Sequence, residues 1–206
     1  MKKIIIVGAG GFGREAYYLI KAINKQDPKW EIKGFIDDYV KSLDDKHIST
    51  PIISTISDYT PEDEDWFVLG IASPRGKEKV ATLLKSKGAH FATLIHPTAD
   101  INETAEIGEG CVISGGSIGD CSKIGNFVHI AASMVGQDVE IGDYTTTTAY
   151  VNIPSAKIGK RCFIGSHSVI LNNLGDDVEV VAGSVVFHKV KNNTMVMGYP
   201  AKRVFL

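Results

Sequence analysis

The chain has 206 residues, 44% of them hydrophobic, which is enough for one sizeable core or two small ones and excludes a disordered chain. Its net charge of -2, with lysines and arginines scattered rather than grouped, gives no footprint for nucleic acid or an anionic membrane. Partners are therefore expected among small molecules and further copies of the same chain.

The opening "MKKIIIVGAG" has an apolar run of only about four residues before glycines begin, so it reads as a buried strand rather than a signal peptide. No segment reaches the roughly 18 apolar residues that span a bilayer. Strand, glycine turn and helix follow in "KIIIVGAGGFGREAYYLIKAI", with Ala16, Leu19, Ile20 and Ile23 forming a stripe at helical spacing. Gly8, Gly10 and Gly13 make G-x-G-x-x-G, a loop that admits close backbone approach and leaves free N–H groups at the helix start for a phosphate. The plainer reading is a tight strand-helix turn. A second strand, "WEIKGFIDD", ends in Asp37 and Asp38, able to accept hydrogen bonds from a ribose or base edge. A third, "DWFVLGIAS", ends near Ala72 and Ser73 and leads into a helix, "RGKEKVATLLKSKG". An NAD-dependent enzyme would need a second half to this sheet or a catalytic domain, and neither follows.

From Ile101 onward the helical period vanishes. Ile-Gly recurs at Ile107, Ile124, Ile141 and Ile158, each 17 residues after the last, with aliphatics between at steps of five or six. That is a hexapeptide repeat, in which three short strands make one triangular coil and each hexad turns an aliphatic to the axis. Its ends need covering, one by the first half and the other by "NTMVMGYPAKRVFL". Flat faces invite closure into a homotrimer, with ligand clefts between neighbouring prisms. Three cysteines, Cys111, Cys121 and Cys162, form no CxxC pair and fit reduced packing residues in a cytoplasmic protein.

The chain resembles the left-handed β-helix acyltransferases, specifically the sialic-acid O-acetyltransferase and bacillosamine-pathway N-acetyltransferase group. The marks are "GAGGFGRE", "FIDD", "LIHPTADI", the hexad array, "VVAGSVVFHKV" and "MVMGYPAKR". The resemblance implies an α/β Rossmann-like cap over residues 1–95 and a left-handed parallel β-helix over residues 96–206. It implies a nucleotide-sugar pocket at Gly10, Gly11, Phe12, Asp37, Asp38 and Ala72. Acetyl-CoA would lie between two prisms beside Thr146, Ser166 and Ala182, with no metal.

The family's general-base histidine and its acidic neighbour fall on Gln137 and Asp138. A second histidine, from the acetyl-CoA cleft, falls on or near Thr146. An amide donates and accepts hydrogen bonds but takes no proton at pH 7. Orientation of two reactants supplies roughly 7 to 11 kcal/mol of a barrier, against about 10²- to 10⁴-fold for a general base, so transfer can survive the loss. An amine acceptor needs a base less than a hydroxyl does, which favours N-acetylation. His129 and His167 are alternative groups near the cleft, and His96 is assigned to the junction "IHP". Two other classes compete. A γ-type carbonic anhydrase needs closely placed zinc histidines, and His129, His167 and His188 are far apart. A non-catalytic nucleotide-sugar-binding trimer would account for Gln137 as lost chemistry.

Overall fold

The computed structural model describes residues 1–205. The cap is a five-stranded parallel sheet of β1 (Lys2–Val7), β2 (Trp30–Ile36), β3 (Ile52–Ser54), β4 (Asp65–Leu69) and β5 (His90–Phe91), in the order β3-β2-β1-β4-β5. Alternation along β1 sends Ile4 and Ile6 to one face and Ile5 and Val7 to the other, and all four are fully buried. Ile4 and Ile6 pack with Ala16, Leu19 and Ile20 of α1 (Gly11–Gln26), whereas Ile5 and Val7 pack with Ala81 and Leu84 of α2 (Pro74–Ser86). Strand order reverses between β1 and β4, where a doubly wound sheet opens its ligand crevice. The start of α1 is pressed into this place so closely that a Cβ on Gly13 would lie 1.8 Å from the Gly8 carbonyl oxygen.

The rest of the chain is a left-handed parallel β-helix. Its first face stacks Leu94–Ile95, Val112–Ile113, His129–Ile130, Thr146–Thr147, Phe163–Ile164 and Glu179–Val180. The second stacks Asp100–Ile101, Gly116–Ile118, Ser133–Val135, Asn152–Ile153, Val169–Ile170 and Val185–Val186. The Ile-Gly residues make the third, Ile107 to Ile158, continued by Leu174 and Val190. Those two stand 16 residues apart rather than 17, and lack isoleucine, which is why the sequence repeat stops short of them. Inward aliphatics of all three faces form one core. The tail closes the far end as an antiparallel hairpin, Met195–Gly198 with Ala201–Arg203.

Two expectations are revised. Leu94–Ile95 pairs with Val112–Ile113, so the prism begins before residue 96 and β5 is the last strand of the cap. The cap also lies along the first face rather than over an end, because the outward residues Leu94 and Val112 are apolar and join the cap's own core.

Gly13→Ala should lower the unfolding free energy by about 2–3 kcal/mol, read from the urea midpoint at unchanged m-value, because backbone must move to admit the methyl group. A midpoint within error of the parent would mean that α1 slides freely along β1.

Candidate functional site

The predicted nucleotide-sugar residues come together at the C-terminal ends of β1, β2 and β4. Gly10 and Gly11 are exposed at the start of α1, with open space where a Cβ would stand. That helix has no side-chain N-cap and no acidic residue in its first turn, so its N–H groups and dipole remain open to an anion. Asp37 organises the loop: its Oδ2 accepts from Ala9 N–H at 2.6 Å and its Oδ1 from Tyr39 N–H at 2.7 Å. Asp38 accepts from Ile56 N–H at 2.9 Å, which ties β2 to the segment after β3. Both carboxylates thus hold backbone, a role the sequence did not suggest.

Thr146, expected to line an open cleft, is fully buried instead and donates its hydroxyl to the Ala72 carbonyl at 2.9 Å. The cause is the docking of the cap on the first face, which covers the outward side of this rung. Ser166 and Ala182 are brought together at the corner between the first and second faces, where Gly183 N–H bonds to the Ser166 carbonyl at 2.8 Å. The Ser166 hydroxyl lies 2.9 Å from that of Thr148, one rung down.

Gln137 and Asp138 occupy a different corner, between the second and third faces, and both are exposed. Asp138 has φ 54°, and its backbone N–H is held by the Asp120 carbonyl at 3.0 Å. Gln137 edges a groove of about 530 Å³ along the second face, with Ser117, Met134 and Asn152. Within one chain the whole second face separates Gln137 from Ser166.

A third constellation sits under the cap. His129 points outward from the first face, beside Thr146 on the next rung, and is 1% exposed. The edge of Phe12 meets its ring, centroids 4.5 Å apart, which links it to the glycine loop. Nε2 is 3.5 Å from Glu15 Oε1, too long for a hydrogen bond, and neither ring nitrogen has a partner among the described residues. Burial pushes the His129 pKa down, partly offset by Glu15, and the ring is neutral at pH 7. Burial raises that of Glu15, but His129 and the Ser114 hydroxyl at 2.5 Å more than offset it, so the carboxyl titrates below its ordinary range. Glu15 closes the stretch "GAGGFGRE", but nothing in that stretch pointed to the prism residues it meets. Among the described residues no three histidine, cysteine or acidic side chains are grouped to hold a metal ion, and no helix is long and apolar enough to cross a membrane.

Residues 3–84 match the PglD N-terminal domain. The chain carries a PglD-type cap. It is 32% identical over 120 residues to the bifunctional protein GlmU of Rhizobium rhizogenes, a match covering 56% of this chain and 26% of that protein. The chain spans about a quarter of the length of such curated relatives. Two solved structures share the fold from end to end. The acetyltransferase domain of PglB from Neisseria gonorrhoeae, in complex with acetyl coenzyme A, superposes with a TM-score of 0.87 at 22% identity, covering 98% of this chain and 99% of that one. PerB from Caulobacter crescentus, in complex with CoA and GDP-perosamine, gives 0.86 at 20%, covering 100% and 98%. The resemblance to the bacillosamine-pathway group, drawn from the sequence, is borne out.

The PglD-type cap is fixed to the prism by Lys77 of α2, a residue the sequence reading passed over. It is 1% exposed and donates from Nζ to the Phe127 carbonyl at 2.9 Å and the Thr145 carbonyl at 3.0 Å, on consecutive coils. Burial brings its pKa down to about 7. A neutral amine has two hydrogens for these two acceptors, whereas an ammonium would bury a third without a partner.

Unfolded lysine keeps its proton to about pH 10.4, so unfolding takes up a proton between about pH 7 and 10, and raising the pH across that window stabilises the fold. Comparing urea unfolding of the parent and Lys77→Met at pH 7 and pH 9.5 cancels the other titrating groups. The difference should move in the parent's favour by about 1 kcal/mol per pH unit. A difference independent of pH would show that the buried amine stays charged.

Proposed function

We propose that the chain is an acetyl-CoA-dependent acetyltransferase that acts on the amino group of a nucleotide-linked sugar, as a homotrimer, in the synthesis of surface glycans. The observation that carries this reading is the division of the candidate residues between two corners of one prism. Ser166 and Ala182 lie on one, Gln137 and Asp138 on the other, and a second copy is what can bring them face to face. A closed ring of three prisms repeats that meeting at each boundary. The bound acetyl coenzyme A of the PglB domain and the bound GDP-perosamine of PerB support donor and acceptor classes. The open α1 terminus suits the diphosphate of a nucleotide sugar. A cytoplasmic site of action fits three unpaired cysteines.

In this arrangement the corner with Ser166 and Ala182 holds the donor's arm by backbone groups, while the cap holds the nucleotide. The amine nitrogen attacks the thioester carbonyl, the carbon–sulfur bond breaks, CoA leaves as the thiolate, and the proton that nitrogen loses passes to solvent, from which the thiolate is protonated. Gln137 Oε1 accepts a hydrogen bond from the amine and orients it but cannot remove a proton. Turnover then rests on positioning and on the fraction of amine already neutral. A non-catalytic binding trimer is the second reading, and Gln137 is the observation that favours it.

The test is CoA release from acetyl-CoA with GDP-perosamine and a panel of other nucleotide-linked amino sugars. The parent chain should turn over, Gln137→His should be about 10- to 100-fold faster, and Gln137→Ala should be slower. If no variant releases CoA and acetyl-CoA leaves the melting temperature unchanged, the binding trimer replaces the enzyme. If Gln137→Ala equals the parent, the reacting centre lies elsewhere.

A further inference from the structure

Glu15 is an unusual carboxylate in this molecule. Other carboxylates drawn into the packing are held either by a cation, as Asp65 by Lys33 at 3.0 Å, Asp143 by Lys160 at 2.8 Å and Asp177 by Arg161 at 2.9 Å, or by backbone N–H groups, as Asp37 and Asp176. Glu15 has neither lysine nor arginine within 4 Å among the described residues, although its side chain is only 34% exposed. Its one ionic neighbour is the His129 ring, which is neutral at pH 7. Oε1 is engaged by the Ser114 hydroxyl, and Oε2 has no hydrogen-bond partner among the described residues. That oxygen is open to a donor brought by a ligand.

The carboxylate edges a cavity of about 350 Å³, lined also by Tyr18, Leu19, His96 and Ser114. An aromatic wall, an imidazole, a hydroxyl and an unpaired acid are the groups that recognise a small polyol bearing a cation. The position along the fold is informative too. Ser114, Ala131, Thr148 and Gly165 succeed one another at the same corner, each bonding through its N–H to the next coil. Three rungs separate Ser114 from Gly165, roughly 14 Å at the spacing of neighbouring strands. Glu15, bonded to Ser114, thus stands three rungs down this corner from Ser166 and Ala182. The glycine loop is on the other side, linked through Phe12 and His129.

We infer that Glu15 is the carboxylate that receives the amino group of the acceptor sugar, and that it sets the preference for an amine over a hydroxyl. This rests on the acetyltransferase reading for the identity of the ligand, but not for the existence of an ammonium site. The sugar ring would occupy the cavity against Tyr18, with its ammonium on the free oxygen of Glu15.

The test is calorimetric titration of the parent chain and Glu15→Gln with two matched pairs: GDP-perosamine against GDP-rhamnose, and UDP-glucosamine against UDP-glucose. Glutamine keeps an acceptor for Ser114, and an unchanged melting temperature confirms that the fold is intact. The expected result is at least tenfold weaker binding of an amino sugar to Glu15→Gln, with its hydroxyl counterpart and acetyl-CoA unaffected. Equal loss for both members of a pair, or no loss, overturns the assignment, and so does a parent chain that binds neither amino sugar. If the amino sugar binds in a Glu15-dependent manner but acetyl-CoA neither binds nor turns over, the ammonium site stands and the acetyltransferase reading falls.

Discussion

The burial of one face of the prism beneath the cap is the constraint on which the rest of this molecule depends. A β-helix coil turns half its residues to the axis and half outward, and on two faces the outward residues meet solvent. On the first face the outward column runs Leu94, Val112, His129 and Thr146, all buried beneath the cap, before it emerges at Phe163 and Glu179. The cap therefore has no freedom to rotate as a separate module. Phe12, Ala72 and Lys77 all touch this column or its corner, and they come from the α1 start, the segment after β4, and α2. The ligand crevice of the sheet is in this way held at fixed distance from the coils where acyl transfer is proposed.

Corner geometry is the second level of organisation. Between the third and first faces the stacked corner residues Phe127, Tyr144, Arg161 and Asp177 all have φ between 55° and 62°, a region ordinarily left to glycine. Non-glycine residues bear that cost because their side chains gain from stacking. The Phe127 and Tyr144 rings lie parallel at 5.3 Å, and Arg161 grips Asp177 through two nitrogens. Rigid corners turn a periodic sequence into straight columns of side chains. A column is what an extended thioester arm needs.

The fold was legible because its periods are local. Ile107, Ile124, Ile141 and Ile158 announce a coil by spacing alone, and Ile4 to Val7 announce a buried parallel strand. Leu174 and Val190 escaped since a one-residue shortening removes the register that identifies them. The glycine loop was legible because it sits in a motif, and the structure places it at the crevice of the sheet. Glu15 and Lys77 were not. Each lies on a cap helix and acquires meaning from a prism residue far along the chain, Ser114 or Thr145, and nothing local to α1 or α2 encodes that meeting. The two aspartates show the converse: their type suggested ligand binding, while the backbone around them uses both as loop fasteners.

A site without a histidine at Gln137 still has a charge problem to solve, and the solution differs for the two acceptor chemistries. A hydroxyl is neutral and unreactive, so a carboxylate such as Glu15 gives it a hydrogen bond but little activation, because an acid titrating below its ordinary range is a poor base at pH 7. An amine arrives largely as the ammonium, and a carboxylate with one oxygen free attracts that form into a half-buried cavity. Binding the ammonium tightly raises its pKa and opposes the neutral nucleophile that must attack. The two ends of the problem are therefore best separated: a carboxylate that selects the cation on entry, and a neutral amide that orients it once a proton has left to water. In the proposed site Glu15 is the carboxylate and Gln137 the neutral amide of such a division. A histidine at Gln137 would merge proton removal with orientation, and the site would gain rate without needing to change what it selects.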